Sequence, residues 1–171
     1  MSGNLPSSVY ACTPQASQVI TLLKILDDEI KKNVKSNGFI DDLQMFENNR
    51  AGETVVGLKA KLEKVGRGEE VFFAEMKKEY FSKLLMKFEH FPSAQKLFAY
   101  FLSRIHEVFE THIVPHASSL TRQEMEQIVE NKIVAPTVAD MGMGFEHFTL
   151  NESHIRGMIF WLADRCYIRW H

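Results

Sequence analysis

Cysteine is nearly missing from this sequence: Cys12 and Cys166 are the only two. One pair cannot supply a disulfide framework, and lone thiols of this kind fit a reducing cytosol. Proline (5) and glycine (9) are also sparse, and no internal repeat or low-complexity linker is present. Long apolar runs are lacking too. The stretch "GMIFWLA" falls far short of the roughly 18 residues a membrane span needs, so no membrane association is expected. The first residues, "MSGNLPSSVYACTPQ", have no basic segment leading into an apolar one, so no secretory signal is expected. A dominant charge is missing as well: the net charge is −2 and the isoelectric point is near 6.4. That balance excludes a global basic footprint of the kind phosphate-led nucleic-acid binding uses, so direct binding of nucleic acid is not expected. A cytoplasmic globular protein is the expectation.

What is present suits a helical core. The chain has 171 residues, 45% hydrophobic and 25% charged, with 13 phenylalanines. That length suits one domain burying roughly two-thirds of its unfolded surface. Thr13 and Pro14 read as an N-cap and first helical residue. Val19, Leu22, Leu23, Leu26, Ile30 and Val34 then form one stripe at three- and four-residue steps, closed by Asn37-Gly38. The polar patch "DDLQMFENNRAGE" reads as a weak element or a loop. Further helices are expected near Glu53–Val65, ended by "GRG", and near Glu69–Phe88. "HFPS" breaks the latter, and Ser93 is expected to cap a helix from Ala94 to about Ile113 that Pro115 ends. Two capping boxes follow. One pairs Thr121 with Glu124, with Leu120 and Met125 as its staple. The other pairs Thr149 with Glu152. The tail "CYIRWH" is aromatic and β-branched, hence extended. The expected architecture is all-α: a single-domain bundle of about six helices with a short extended C-terminal tail. Residues 1–38 form an N-terminal helix and lead-in, and 39–171 the helical domain.

Candidate chemistry is thin. "HEVFETHIVPH" holds three histidines, but the zincin pattern needs a second histidine four residues after His106, and Glu110 stands there. His112 points away from His106, and Pro115 interrupts the step to His116. A metal on His106 and Glu110 needs ligands from elsewhere, such as His147 or His154; the expectation is no metal and no cofactor. "VGRGEE" lacks the lysine and hydroxyl of a phosphate loop and reads as a helix stop and restart. "GMGFEH" lacks the strand–turn–helix setting of a dinucleotide site. Cys166 follows Arg165, but its apolar flanks point to an inert buried thiol over a nucleophile.

The tail "RCYIRWH" allows two readings. Arg165 and His171, with five residues between them, resemble the Arg–x(4–6)–His motif of HEPN-type ribonucleases, which are all-helical. That resemblance implies an arginine stabilising phosphate charge and a histidine moving a proton. In that family a polar residue often follows the arginine, and here Cys166 takes its place. Alternatively, Tyr167, Arg169 and Trp170 are residue types favoured at binding hot spots, although Trp170 serves equally well to close the core.

A wider resemblance rests on an ordered series of phrases. "VVGLKAKLEKVGRGEE", "KKEYFSKLLMKF", "PSAQKLFAYFLSRI", "VFETHIVPH", "IVENKIVAP" and "GMIFWLADRCYIRW" resemble the C-terminal domains of bacterial ABC-three-component systems, over about residues 39–171. Matching positions include Gly57, Leu58, Leu62, Arg67, Ser93, Gln95, Ile113, Pro115, Ile133, Pro136, Gly157, Met158, Cys166, Arg169 and Trp170. The resemblance gives none of them a catalytic role, and Gly57, Arg67, Gln95, Pro115, Pro136, Gly157 and Cys166 are implied to be structural. The resemblance implies a conflict or antiphage defence module and, as partners, an ABC-type ATPase, a small middle component and an effector. Catalysis in that family belongs to variable N-terminal effector domains. Only some 38 residues precede the similar region here, too few for such a fold. The resemblance therefore implies a non-enzymatic interaction module, with self-association into a homo-oligomer compatible with it.

Overall fold

The computed structural model describes residues 14–142 and 144–171; the Thr13 cap and Cys12 lie outside them. Eight α-helical segments follow in order: α1 (Pro14–Lys32), α2 (Asp41–Gln44), α3 (Leu58–Lys64), α4 (Val71–Phe88), α5 (Pro92–Val108), α6 (Arg122–Val129), α7 (Ala135–Met141) and α8 (Glu152–Asp164). Among the described residues no strand forms, only an isolated bridge between Phe145 and Phe148. The all-α bundle is therefore the architecture. α2 is a single turn, and α6 runs into α7 without a break, so the segments amount to six rods. After α8 the chain is non-helical to its end.

The core is organised around α8. Nearly every side is buried, from Ile155 and Gly157 through Ala163, the pattern of a central helix. α4 lies along it in the most extensive interhelix contact of the fold. Gly157 makes this approach close, because a Cβ there would come within 2.8 Å of Phe81 Cβ and inside van der Waals distance of the Lys77 carbonyl oxygen. α5 contributes Leu97, Phe98, Phe101, Leu102 and Ile105 at helical spacing. α1 packs on α5 and α7, and buries Val19, Leu23 and Leu26 in the same core.

Three helices end in Schellman turns, in which a left-handed residue lets two amides reach back to the last carbonyls. Asn33 (φ +52) ends α1, so the helix stops four residues before Asn37. Gly66 (φ +71) ends α3, the stop expected of "GRG". Cys166 (φ +67) ends α8, with its own amide on the Ala163 carbonyl and that of Tyr167 on Leu162. A side chain at this position costs backbone strain that glycine avoids. The Cys166 thiol is buried beside the ammonium of Lys61, which is fully buried and donates to the Ile168 carbonyl at 2.9 Å.

Pro115 acts differently from the simple stop expected of it, and Pro136 follows the same pattern. Pro115 and Pro136 each sit two residues beyond a π-helical segment, Phe109–Ile113 and Glu130–Val134. A proline cannot donate its amide and crowds the carbonyl four residues back. Widening the preceding turn by one residue relieves both problems. The chain thus passes Pro115 in a 3₁₀ turn (Val114–His116) and carries Pro136 within α7.

Caps were legible in part. The Thr121–Glu124 box forms as expected. The second box is shifted: Asn151 caps α8, and His154 returns the bond by accepting the Asn151 amide on Nδ1 at 3.2 Å. Starting two residues later frees Phe148 and Leu150 to be buried. Ser93 does not cap α5 either. Its amide and hydroxyl both donate to Glu29 of α1, at 3.0 and 2.8 Å, so α1 supplies the acceptor.

His154 makes this cap sensitive to acid. Its ring stacks on Tyr80 with centroids 4.2 Å apart, and burial holds its pKa below the ordinary 6.5. The neutral form is the one that accepts from Asn151, and a positive charge is disfavoured at a helix N-terminus. The unfolded chain therefore binds the proton first, so stability falls as pH drops through 6.5. Urea titrations between pH 7.5 and 5 should show this loss. His154→Gln, which keeps a capping side chain without a proton to gain, should flatten it.

Candidate docking surface

The sequence of α4 is apolar on more sides than the core uses. Ala74, Phe81 and Phe88 face inward, seven residues apart. Phe72, Met76 and Tyr80 recur at four-residue steps on the opposite side, with Phe73 beside them. All are exposed, Phe72 by 82% and Met76 by 50%. Their bases are fixed: the Phe73 ring edge meets Phe160 at 6.5 Å, and Tyr80 lies flat on His154. Charges flank them in local pairs, Glu75–Lys78 and Glu79–Lys83. Lys77 lies over the Phe73 ring and donates to Ser153. The result is a row of large, pre-positioned apolar side chains in a charged frame. Surfaces of this composition mark sites of protein association. Sequence reasoning missed them; the signal was the apolar excess of "VFFAEMKKEYF" beyond a single stripe.

The tail residues are occupied in holding the fold. Trp170 is 4% exposed, its ring meeting Phe109 and Phe160 at 6.0 and 6.2 Å, with Arg67 over its face at 5.3 Å. Of the two roles open to this residue in the sequence, its ring takes that of closing the core. Tyr167 is half-buried, and its hydroxyl lies against the carbonyls of Met45 and Asn48, which share its one proton. Arg169 pairs with Glu53 at 2.6 Å. These bonds tie the 45–53 segment to the end of the chain.

Arg165 and His171 have different surroundings. Arg165 lies over the Trp161 ring near Asp164 and Glu47. His171 lies near Lys64, Arg169, Lys61 and Glu53, and burial, followed by these cations, holds its pKa below normal. No hydrogen bond joins the two side chains, and each has a buried nitrogen without a protein partner. The candidate metal ligands are dispersed as well. His106 packs edge-on to Phe46 and Tyr167, and Glu110 faces Arg50 at 3.8 Å. His147 is exposed beside Glu146, and His154 belongs to the α8 cap. Among the described residues, no group of three or more His, Cys, Asp or Glu is placed to hold a metal.

The remaining singled-out positions make contacts within the fold. Gly57 (φ +86) is the N-cap of α3, and Asp164 accepts the Leu58 amide at 3.1 Å. Gln95 is fully buried; it accepts from the Ile40 amide at 2.6 Å and donates to the Gly38 and Glu89 carbonyls. Arg67 is buried in a carboxylate cluster with Glu70 and Glu126, to which Arg122 and Arg156 add further pairs. Burial opposes its charge, but Glu70 and Glu126 more than offset that, and its pKa is raised.

The fold and surface define an all-α domain with an exposed aromatic row and no helix among the described residues long and apolar enough to cross a membrane. The chain belongs to the family described as C-terminal domain 9 of the ABC-three component systems, whose model matches residues 57–170. No curated protein and no solved structure matches it. The matched stretch begins at Gly57 and ends on Trp170, and so includes α4 with its exposed row. Membership in a multi-component system implies protein partners.

Proposed function

We propose that this chain is a non-enzymatic helical interaction module that couples an effector to an ABC-type ATPase, through a middle component, in a bacterial defence or conflict system. The observation that carries the reading is the outward face of α4, where Phe72, Phe73, Met76 and Tyr80 stand exposed in a charged frame. Large aromatic and methionine side chains held at their bases lose little freedom on binding, which favours them as anchors. The partly exposed edges of Tyr167 and Arg169 supply a second contact area, while Trp170 supports it from beneath. ATPase state reaches the effector by contact, with the domain acting as a rigid link. The family match supports the system, and the apolar face supports docking as the role.

The test is co-purification with the ABC-type ATPase and middle component of its system. The wild-type chain should form a complex at micromolar concentration. The double variant Phe72→Ser, Met76→Glu alters exposed positions only, so it should keep the melting temperature. It should weaken the complex by at least tenfold, about 1.4 kcal/mol. A complex indifferent to both substitutions would remove α4 from the docking role.

A further inference from the structure

Among the arginines, Arg165 stands apart. Arg50, Arg67, Arg104, Arg122, Arg156 and Arg169 each have a carboxylate partner. Arg165 has none within ion-pair distance among the described residues, and its Nε is buried without an acceptor from the protein. Its guanidinium lies 3.8 Å from the centroid of Trp161, which fixes the plane of the fork. The backbone is fixed too: its amide donates to Trp161, and its carbonyl accepts from Arg50 at 2.9 Å. This cation opens on a cleft of about 270 Å³ between α4, the 39–47 segment and the end of α8. Phe39, Leu43, Leu85 and Met86 give the cleft apolar walls, and Glu47 and Glu89 are its acidic members.

We propose that this cleft is a receptor for a single carboxylate carried next to an apolar side chain, as on a segment of a partner polypeptide. A planar guanidinium stacked on an aromatic ring presents paired N–H donors that match a carboxylate in a bidentate arrangement. The apolar walls accept the neighbouring side chain. Glu47 and Glu89 discriminate against ligands of higher negative charge, so a phosphate monoester or a nucleic-acid backbone is disfavoured. The polypeptide nature of the ligand rests on the docking role proposed above; the chemistry of the cleft does not, since it lies off the outward row of α4. Burial already lowers the pKa of Arg165, and a bound carboxylate would compensate the desolvated charge.

The test is an NMR titration of the whole chain, following the Arg165 Nε–H and Trp161 indole signals. The probes are N-acetyl-leucine, N-acetyl-leucinamide and phenyl phosphate. Saturable shifts with N-acetyl-leucine, absent with the amide and at least fivefold weaker with phenyl phosphate, are expected. Arg165→Gln should abolish them, Arg165→Lys should weaken them about tenfold, and Glu47→Gln should strengthen them. No saturable shift, equal shifts with the amide, or phenyl phosphate binding as tightly as the carboxylate would each overturn the proposal. The wild-type titrations decide it without reliance on any variant's folding. A negative result leaves the α4 face untouched, because complex formation reads that face separately.

Discussion

Gly157→Ala should be the most damaging single-methyl change in the domain. The added Cβ would meet the Lys77 carbonyl oxygen and sit 2.8 Å from Phe81 Cβ, neither of them the free end of a flexible side chain. Relief requires α4 and α8 to move apart. That would loosen the edge contacts of Phe81 with Phe98 and Trp161, now at 5.8 and 5.7 Å. Overpacking of this kind costs about 1–3 kcal/mol and more where backbone must shift. Alanine's better helix propensity returns only about 1 kcal/mol, so the sign is set by the clash. A loss of ~3 kcal/mol corresponds to a melting temperature lower by roughly 6–12 °C for a chain of this size. A Gly157→Ala protein that melts with the wild type would show that the α4–α8 approach is looser than described.

Arg67→Ala is expected to rank with it. Arg67 donates to Glu70 at 2.9 and 2.7 Å and to Glu126 at 3.0 Å, and its guanidinium covers the Trp170 ring. Removing it leaves Glu70 to Arg122 and Glu126 to Arg156 alone, and uncovers a core tryptophan. Breaking a buried ion pair from one side costs about 3–5 kcal/mol, and the remaining partners Arg122 and Arg156 hold the loss here to the low end, about 3 kcal/mol. Arg67→Lys should recover little, because an ammonium cannot make the forked contact to Glu70 or lie flat on the ring. Chemical denaturation of both variants checks this. Burial alone would push the Glu70 carboxyl up, but Arg67 and then Arg122 hold its pKa below 4.5. Its contribution is present above pH 4.5 and is lost as pH falls through the folded value, and Arg67→Ala should diminish that acid-dependent loss.

Periodicity made the helices readable and capping chemistry made some of their ends readable. Leu97 through Ile105 announce α5 by spacing alone, and Thr121 with Glu124 fixes the start of α6, because both devices are local. The misplaced ends depend on distant partners. Ser93 is held by Glu29, 64 residues earlier, and the cap of α8 moved to Asn151 because Phe148 and Leu150 were drawn into the core. The π segments before Pro115 and Pro136 could not be read from the rule that proline stops a helix, since a widened turn satisfies the same constraint. The exposed row on α4 escaped notice for a related reason. An apolar residue shows in sequence that it wants cover, but not whether the chain's own core or another protein provides it. Trp170 and Phe72 look alike in the sequence; one is buried and the other is 82% exposed.

Site-specific photo-crosslinking tests the docking role most directly. p-Benzoylphenylalanine placed at Phe72, on α4, and separately at Val138, an exposed position on α7, would be activated in the assembled complex with the ATPase and middle component. Crosslinks from position 72 to one of these proteins, with none from position 138, are the expected result. An intact complex that crosslinks from position 138 and not from position 72 would contradict docking through α4.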